Sequence, residues 1–482
     1  MASKSRRTWR GLQANELQDI ETQIQEKFQW EHTPRPFQVE AIKAILQRKD
    51  VLIHAGTGMG KTAVAAGAFA VTQTEGMVAF VVSPLIVLQQ EQMVTFQEEF
   101  RLRAIAVNSS GANQCTAEIM KKKSQEICRG RWQIVIISPE LLLSKKFILN
   151  VIRSSELSSR MLAVLVDECH VISHWGSGFR KEYGRLGILR ALLPKSVPFV
   201  AMSATMPFRV RKDILTKLHI NEDTLTDLDM GNDRQNVSLV VRPIHNTMNS
   251  YSDLAFVIPE DLSNANSIKK AFIYADNIAD GYGIQQYLES RLPETLKATG
   301  LIRPYSGGYS DVHRSRVMEL FKRGVIRVLI CTDAAGMGCN IPDINLVVQW
   351  KLPATVSSFI QRAGRAARGL GRKGLAVLLV EKSVYNADLS KASEAKQALG
   401  KGQKKPSIRQ SSIYTRGNKM YAALHGVHRG THDGAYDNDK LDEVEVFLDR
   451  DSIDEGLYSL VQAVKCRRAV IKSIYGNRNI GE

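Results

Sequence analysis

Asp50-Val51-Leu52-Ile53-His54-Ala55-Gly56-Thr57-Gly58-Met59-Gly60-Lys61-Thr62 is the stretch from which the rest of the chain can be read. Asp50–His54 is an apolar run that predicts a strand. The Ala63-Val-Ala-Ala-Gly-Ala-Phe-Ala-Val stretch after Thr62 predicts a helix. Between them lie three glycines in alternation, Gly56, Gly58 and Gly60, with Thr57 and Met59. Glycines let backbone N–H groups curl inward around phosphate oxygens. The following helix adds the positive end of its dipole. Lys61 is placed to reach the β- and γ-phosphates of a nucleotide, and the Thr62 hydroxyl to ligate Mg²⁺. The loop begins with Ala55 where such loops usually begin with glycine.

The surrounding sequence repeats strand, loop and helix from about residue 35 to 205. Met77–Val82, Gln133–Ile137, Met161–Val166 and Pro198–Met202 are further short apolar runs. A second series follows from about 268, with Lys269–Tyr274, Ile326–Cys331, Asn345–Trp350 and Leu375–Val380. Fully apolar strands alternating with helices predict parallel sheets covered on both faces. The expected fold class is therefore α/β, as two tandem domains. The polar stretch 206–265 sets their boundary, giving domains over 1–225 and 226–385. Residues 386–456 read as a linker, basic and then acidic. Residues 457–482 read as a helical end.

The chain has 482 residues, 44% hydrophobic and 24% charged, which excludes a disordered, collagen-like or coiled-coil protein. No apolar run approaches the roughly 20 residues that cross a bilayer, so no membrane association is expected. The basic start MASKSRRTWRG lacks an apolar core for secretion. Six cysteines without a CxxC pair fit a reducing compartment. The net charge is +16; residues 433–455 hold ten acids and two bases, so −8 there leaves +24 elsewhere. A basic body of this size suits a polyanionic partner. KKK at 121–123 and RGR at 129–131 are candidate phosphate contacts. The acidic run is expected to fold against basic surface or to mimic a nucleic acid.

Two further motifs carry chemistry. Asp167 and Glu168 end the strand Met161–Val166, where adjacent carboxylates divide labour. Asp167 is suited to hold Mg²⁺ and Glu168 to orient and deprotonate an attacking water. Gln361-Arg362-Ala363-Gly364-Arg365-Ala366-Ala367-Arg368 reads as a helix that puts Arg365 and Arg368 on one face. Two such arginines can neutralise charge developing on a γ-phosphate.

In this order and strand context the set resembles the superfamily 2 helicases over about residues 28–385. Ser203-Ala204-Thr205 is similar to their third motif and Thr332–Gly338 to their fifth. The resemblance implies two RecA-like domains, and it implies ATP and Mg²⁺ as cofactors. Within the superfamily the chain resembles the RecQ family of 3′-to-5′ DNA helicases. Arg35-Pro36-Phe37-Gln38 matches the family's adenine-reading motif, with Gln38 at the base edge and Phe28 or Trp30 stacked on it. Trp175, Phe179 and Arg180 match its aromatic-rich loop, which binds exposed single-stranded bases and phosphate. Ala335–Pro342 fits its GMG-x-N-x-P form, with Gly336 at the nucleotide. The resemblance further implies nucleic-acid contacts at Ser83 and Pro84, coupling through His170, Ser203 and Thr205, and catalysis by Lys61, Asp167, Glu168, Gln361, Arg365 and Arg368. Single-stranded and forked DNA are the implied partners; protein partners are not read from it. A nuclear location and a role in repair and recombination follow by the same route.

Several positions depart from the family pattern. Cys169 replaces Ala in the DEAH form, and Arg362 stands where many RecQ proteins have Glu. In the aromatic loop, His174, Ser177 and Gly178 replace a Gln, a His and an Asp. Ser306-Gly307 replaces His-Ala. Cys466-Arg467-Arg468 resembles the start of the family's zinc-binding region, which this sequence cuts short, so no complete zinc site is expected. A DNA-stimulated ATPase or translocase without efficient unwinding, an RNA helicase of the same superfamily, and an inactive binding module are the competing readings.

Overall fold

The computed structural model describes residues 9–107, 117–174, 181–262, 264–335, 341–369, 371–386, 448, 452–463 and 466–476. Trp175, Phe179, Arg180 and Gly336 lie outside these residues, as do 387–447 of the expected linker. The chain divides into two compact units between Asn232 and Asp233.

Among the described residues, unit 1 holds seven strands: β1 Val51–Ala55, β2 Val78–Val82, β3 Ala104–Val107, β4 Ile134–Ile137, β5 Met161–Val166, β6 Phe199–Ser203 and β7 Thr226–Gly231. They form one sheet in the order β3-β4-β2-β5-β6-β1-β7, with every pairing parallel. Successive side chains point to opposite faces of a strand. Accordingly Val51, Ile53 and Ala55 enter one apolar cluster, while Leu52 enters the other. Helices cover both faces, as fully buried parallel strands require.

Unit 2 repeats the plan with six described strands: β8 Val237–Pro243, β9 Ala271–Ala275, β10 Ile302–Tyr305, β11 Val328–Cys331, β12 Leu346–Trp350 and β13 Gly374–Val380. Their order is β10-β11-β9-β12-β13-β8, again all parallel. Phe272 and Tyr274 face one core and Ala271, Ile273 and Ala275 the other.

Two expectations about organisation change. The boundary at 225/226 falls seven residues early, because β7 pairs with β1 and belongs to the first sheet. The helical end is two helices, Leu457–Gln462 and Arg467–Tyr475. It is no separate module: Leu457, Leu460, Val461, Val470, Ile471 and Ile474 lie in the same core cluster as β9 and β11 of unit 2.

Candidate nucleotide site and arginine turn

The carboxyl ends of β1, β5 and β6 gather the first group of functional side chains in unit 1, as an open parallel sheet places them. The phosphate loop leaves β1 at Ala55 and enters the helix Thr62–Gly67. Gly58 and Gly60 take φ of +83° and +77°, the left-handed region that favours glycine. Gly56 is pinned at the loop's start by donating to the carbonyl of Gly231 at 3.0 Å. Lys61 Nζ donates to the carbonyls of Ala55 at 2.7 Å and Gly56 at 3.2 Å, so the ammonium lies across the loop. Gln38 is buried and joins two elements. Its Oε1 accepts from Arg35 N at 2.8 Å, capping the helix Pro36–Leu46, and its Nε2 donates to Gly60 O at 2.9 Å. A Cβ on Gly60 would lie 2.7 Å from that amide nitrogen.

Asp167 follows β5 and is held from two sides. It accepts from Gln92 Nε2 at 2.6 Å and from Glu168 N at 2.9 Å. Burial raises its carboxyl to about 6, the Glu168 charge adds to the rise, and the Lys61 ammonium opposes it. Two adjacent half-buried carboxylates, Asp167 and Glu168, are oxygen donors of the kind a hard divalent cation takes. Glu168 adopts φ +48°, a strained conformation for a side chain of this kind.

That turn aims Glu168 at His170. Glu168 Oε2 lies 3.3 Å from His170 Nδ1, which also lies 2.9 Å from Ser203 Oγ at the end of β6. Ser203 donates its one hydroxyl hydrogen to Thr205 O at 2.8 Å and accepts from Thr205 N at 3.1 Å. The Ser203 contact therefore requires His170 to donate from Nδ1, while Glu168 Oε2 lies within ion-pair distance of the same nitrogen without a hydrogen bond to it. One polar chain thus runs from Glu168 to Thr205, all of it within unit 1.

In unit 2 the expected helix through Arg365 and Arg368 stops early. The helix spans Val356–Ala363, and Gly364–Ala367 form turns, with Ala367 at φ +47°. The carbonyls that this ending exposes are taken up by side chains. Arg234 donates to Gly364 O at 3.1 Å, Ala366 O at 3.2 Å and Ala367 O at 2.8 Å, and Asn236 Nδ2 donates to Ala367 O at 2.9 Å. Arg362 points the other way and is almost fully buried. It donates to Asp333 at 2.9 Å, to Asp276 at 2.6 and 3.2 Å and to Gln349 Oε1 at 2.5 Å, and sits over the Tyr274 ring. Burial alone would lower its pKa; the two aspartates overcome this and raise it.

The DEAD/DEAH box helicase family model matches residues 35–214, and the helicase conserved C-terminal domain model matches residues 254–369. The chain is 29% identical over 338 residues to the ATP-dependent DNA helicase RecQ of Haemophilus influenzae, covering 69% of this chain and 49% of that protein. The chain carries the two domains of a superfamily 2 helicase core. A second relative of this helicase core is the ATP-dependent helicase SGS1 of Saccharomyces cerevisiae, 28% identical over 341 residues, 69% of this chain and 22% of that protein. The chain spans about half the length, or less, of these two curated relatives. The fold is shared with the solved structure of Mss116p bound to ssRNA and AMP-PNP, at a TM-score of 0.59, 18% identity, and coverage of 89% of this chain and 87% of that one.

Within this helicase core the structure joins Arg35 and Gln38 to the loop Gly56–Thr62 by one set of bonds and links Asp167, Glu168, His170, Ser203 and Thr205 by another; the Lys61 charge felt at Asp167 relates the two sets within unit 1. Other expected residues are placed differently. Ser83 has no exposed surface and Pro84 is buried, so neither offers a side chain to a nucleic acid. Phe28 packs edge-on against Phe100 in the core and is not free to stack on a base; Trp30 is half-buried and stacks on His32. Gln361, Arg365 and Arg368 are half-buried in unit 2. Cys169 has no exposed surface, and burial pushes its thiol well up, so it packs as the small apolar residue it replaces. Gln92, Arg234, Asn236 and the His54–Asp229 pair at 2.8 Å beside the loop were not expected from the sequence. Gln92 carries no pattern of its own, but its helix, Ile86–Glu98, starts soon after β2, which lies beside β5 in the sheet.

Proposed function

We propose that the chain is the motor core of a RecQ-type, ATP-dependent DNA helicase. It moves 3′ to 5′ along single-stranded DNA and separates forked duplexes in repair and recombination. The observation that carries this reading is the polar chain Glu168–His170–Ser203–Thr205, which ties a hydrolytic carboxylate to the end of a neighbouring strand. An ATPase that only turns over nucleotide has no use for such a link; a motor needs one. Lys61 and the loop amides bind the phosphates. Thr62 and Asp167 would hold Mg²⁺, which supplies neutralising charge to the phosphates when bound. Glu168 takes the proton of the attacking water, and His170 holds its carboxylate in place. Gln38 contributes to adenine recognition while bonded to the phosphate loop, so base and phosphates are sensed together. Gln361, Arg365 and Arg368 from unit 2 stabilise the charge that develops on the γ-phosphate. Trp175, Phe179 and Arg180 bind the single strand by stacking and by phosphate contact. The site of action in this proposal is the nucleus. No described helix is long and apolar enough to cross a membrane.

The reading is tested with forked duplexes bearing a 3′ or a 5′ single-stranded tail. ATP-driven separation of the 3′-tailed DNA fork is expected, weakening steeply with salt as phosphate contacts do. Lys61→Ala is expected to abolish it. Hydrolysis with no separation of any fork would leave a translocase, and a requirement for an RNA tail would overturn the DNA assignment.

A further inference from the structure

The helix Val356–Ala363 carries the arginine turn, and both of its ends are held by the same distant segment of chain, residues 454–476. At the first turn, Val356 N donates to Asp454 O at 3.3 Å and Ser357 N to Glu455 Oε2 at 2.9 Å. The Ser357 hydroxyl lies 3.1 Å from Tyr475 Oη. These partners satisfy amides that a helix start leaves open, and the Glu455 carboxylate also complements the dipole there. Glu455 is almost fully buried and takes φ +60°, followed by Gly456 at +81°. A strained turn is therefore maintained in order to bring that carboxylate to the helix.

At the far end the link is indirect. Arg234 holds the carbonyls of Gly364, Ala366 and Ala367. Arg234 is itself held by Arg468, which donates to its carbonyl at 3.2 and 3.3 Å and to Val237 O at 2.6 Å, and which pairs with Asp233. Burial lowers the pKa of Arg234, since carbonyls rather than a carboxylate receive its charge. The two helices of the segment fill the gap between these anchor points. Leu460, Val470, Ile474 and Tyr475 share a core cluster with Phe359, Ala363 and Ala367.

We infer that the segment 454–476 is a positioning element for the arginine turn, with Arg468 and Arg234 as positioning residues acting on Arg365 and Arg368. The inference rests on the nucleotide-hydrolysing reading above. Neither Arg468 nor Arg234 touches nucleotide in this scheme. They fix the backbone from which the two arginines project, and a small misplacement of such groups is costly in turnover.

The test uses the full chain with Arg468→Ala, Arg234→Ala and the double variant. Steady-state hydrolysis at saturating single-stranded DNA should show kcat lower by about tenfold in each single variant, with KM for ATP within about twofold. The double variant should be no slower than Arg234→Ala, because both act on one turn. Arg468→Lys should rescue only in part, since an ammonium lacks the planar fork that spans the Arg234 and Val237 carbonyls. Amide exchange at Arg365–Ala367 should quicken in Arg468→Ala without nucleotide or DNA, while β12 stays protected. Folded Arg468→Ala with unchanged kcat and unchanged exchange would overturn the inference. So would losses that add in the double variant or that merely follow a fall in melting temperature. A wild-type chain without hydrolysis would sink the functional reading alone, because the exchange experiment does not depend on catalysis.

Discussion

Glu168→Gln is expected to slow ATP turnover by about 10²–10⁴-fold while leaving ATP affinity within a fewfold, the loss that removing a general base produces. The amide keeps the size of the carboxylate, so the strained turn at φ +48° and the 3.3 Å approach to His170 need not change. What disappears is the capacity to take a proton from water. The neighbouring carboxylate does not replace it. Asp167 is half-buried, accepts from Gln92 and from the Glu168 amide, and is held near a pKa of about 6 by desolvation and by Glu168. Phosphate release in steady state and binding of a fluorescent ATP analogue measure the two quantities separately. Turnover above about one-tenth of wild type would show that Glu168 is not the base.

Arg362→Glu is expected to destabilise unit 2 severely, although it installs the residue that many RecQ proteins carry at this position. The guanidinium is 5% exposed, while its partners Asp276 and Asp333 are 48% and 63% exposed. Removing one partner of a buried ion pair costs roughly 3–5 kcal/mol. Solvent screening of the half-exposed aspartates reduces this to about 2 kcal/mol for Arg362→Ala. A glutamate there adds repulsion from two carboxylates and faces Gln349 Oε1, an acceptor, which brings the cost to about 4 kcal/mol. At about 2–4 °C per kcal/mol for a unit of this size, melting should fall by about 8–16 °C for Glu and half that for Ala. Scanning calorimetry with two resolved transitions checks it. Equal stability of Arg362→Glu and wild type would mean that the cluster contributes nothing. The departure from the family pattern at Arg362 thus comes with acceptors on the loops after β9 and β11.

How much of this was readable from the sequence depends on burial. Nine of the thirteen described strands are largely apolar runs in the middle of a sheet, and all nine are visible as such in the sequence. The four that escape, β3, β7, β8 and β10, are the edge strands of the two sheets. An edge strand has one open side and tolerates polar residues and proline, as in β7, TDLDMG, and β10, which includes Pro304; β3, AIAV, is apolar but only four residues long. The hidden β7 is why the boundary was set too early. The chemistry was legible where it follows a fixed spacing, as in the phosphate loop, the Asp167-Glu168 pair and Ser203–Thr205. It was not legible where single polar residues act over long separations. Gln92 lies 75 residues from Asp167, and Arg468 lies 234 from Arg234. Helical periodicity in Gln361–Arg368 continued past Ala363, because nothing local announces that Arg234 will take up the carbonyls of Gly364, Ala366 and Ala367 and stabilise a turn there.

The measurement that bears most directly on the central claim is ATP hydrolysis by the wild-type chain with and without single-stranded DNA. A coupled motor should hydrolyse ATP with strong stimulation by DNA, and the stimulation should be lost in Ser203→Ala, which cuts the link between His170 and β6. Hydrolysis indifferent to DNA, or none at all in folded protein, would contradict a coupled motor.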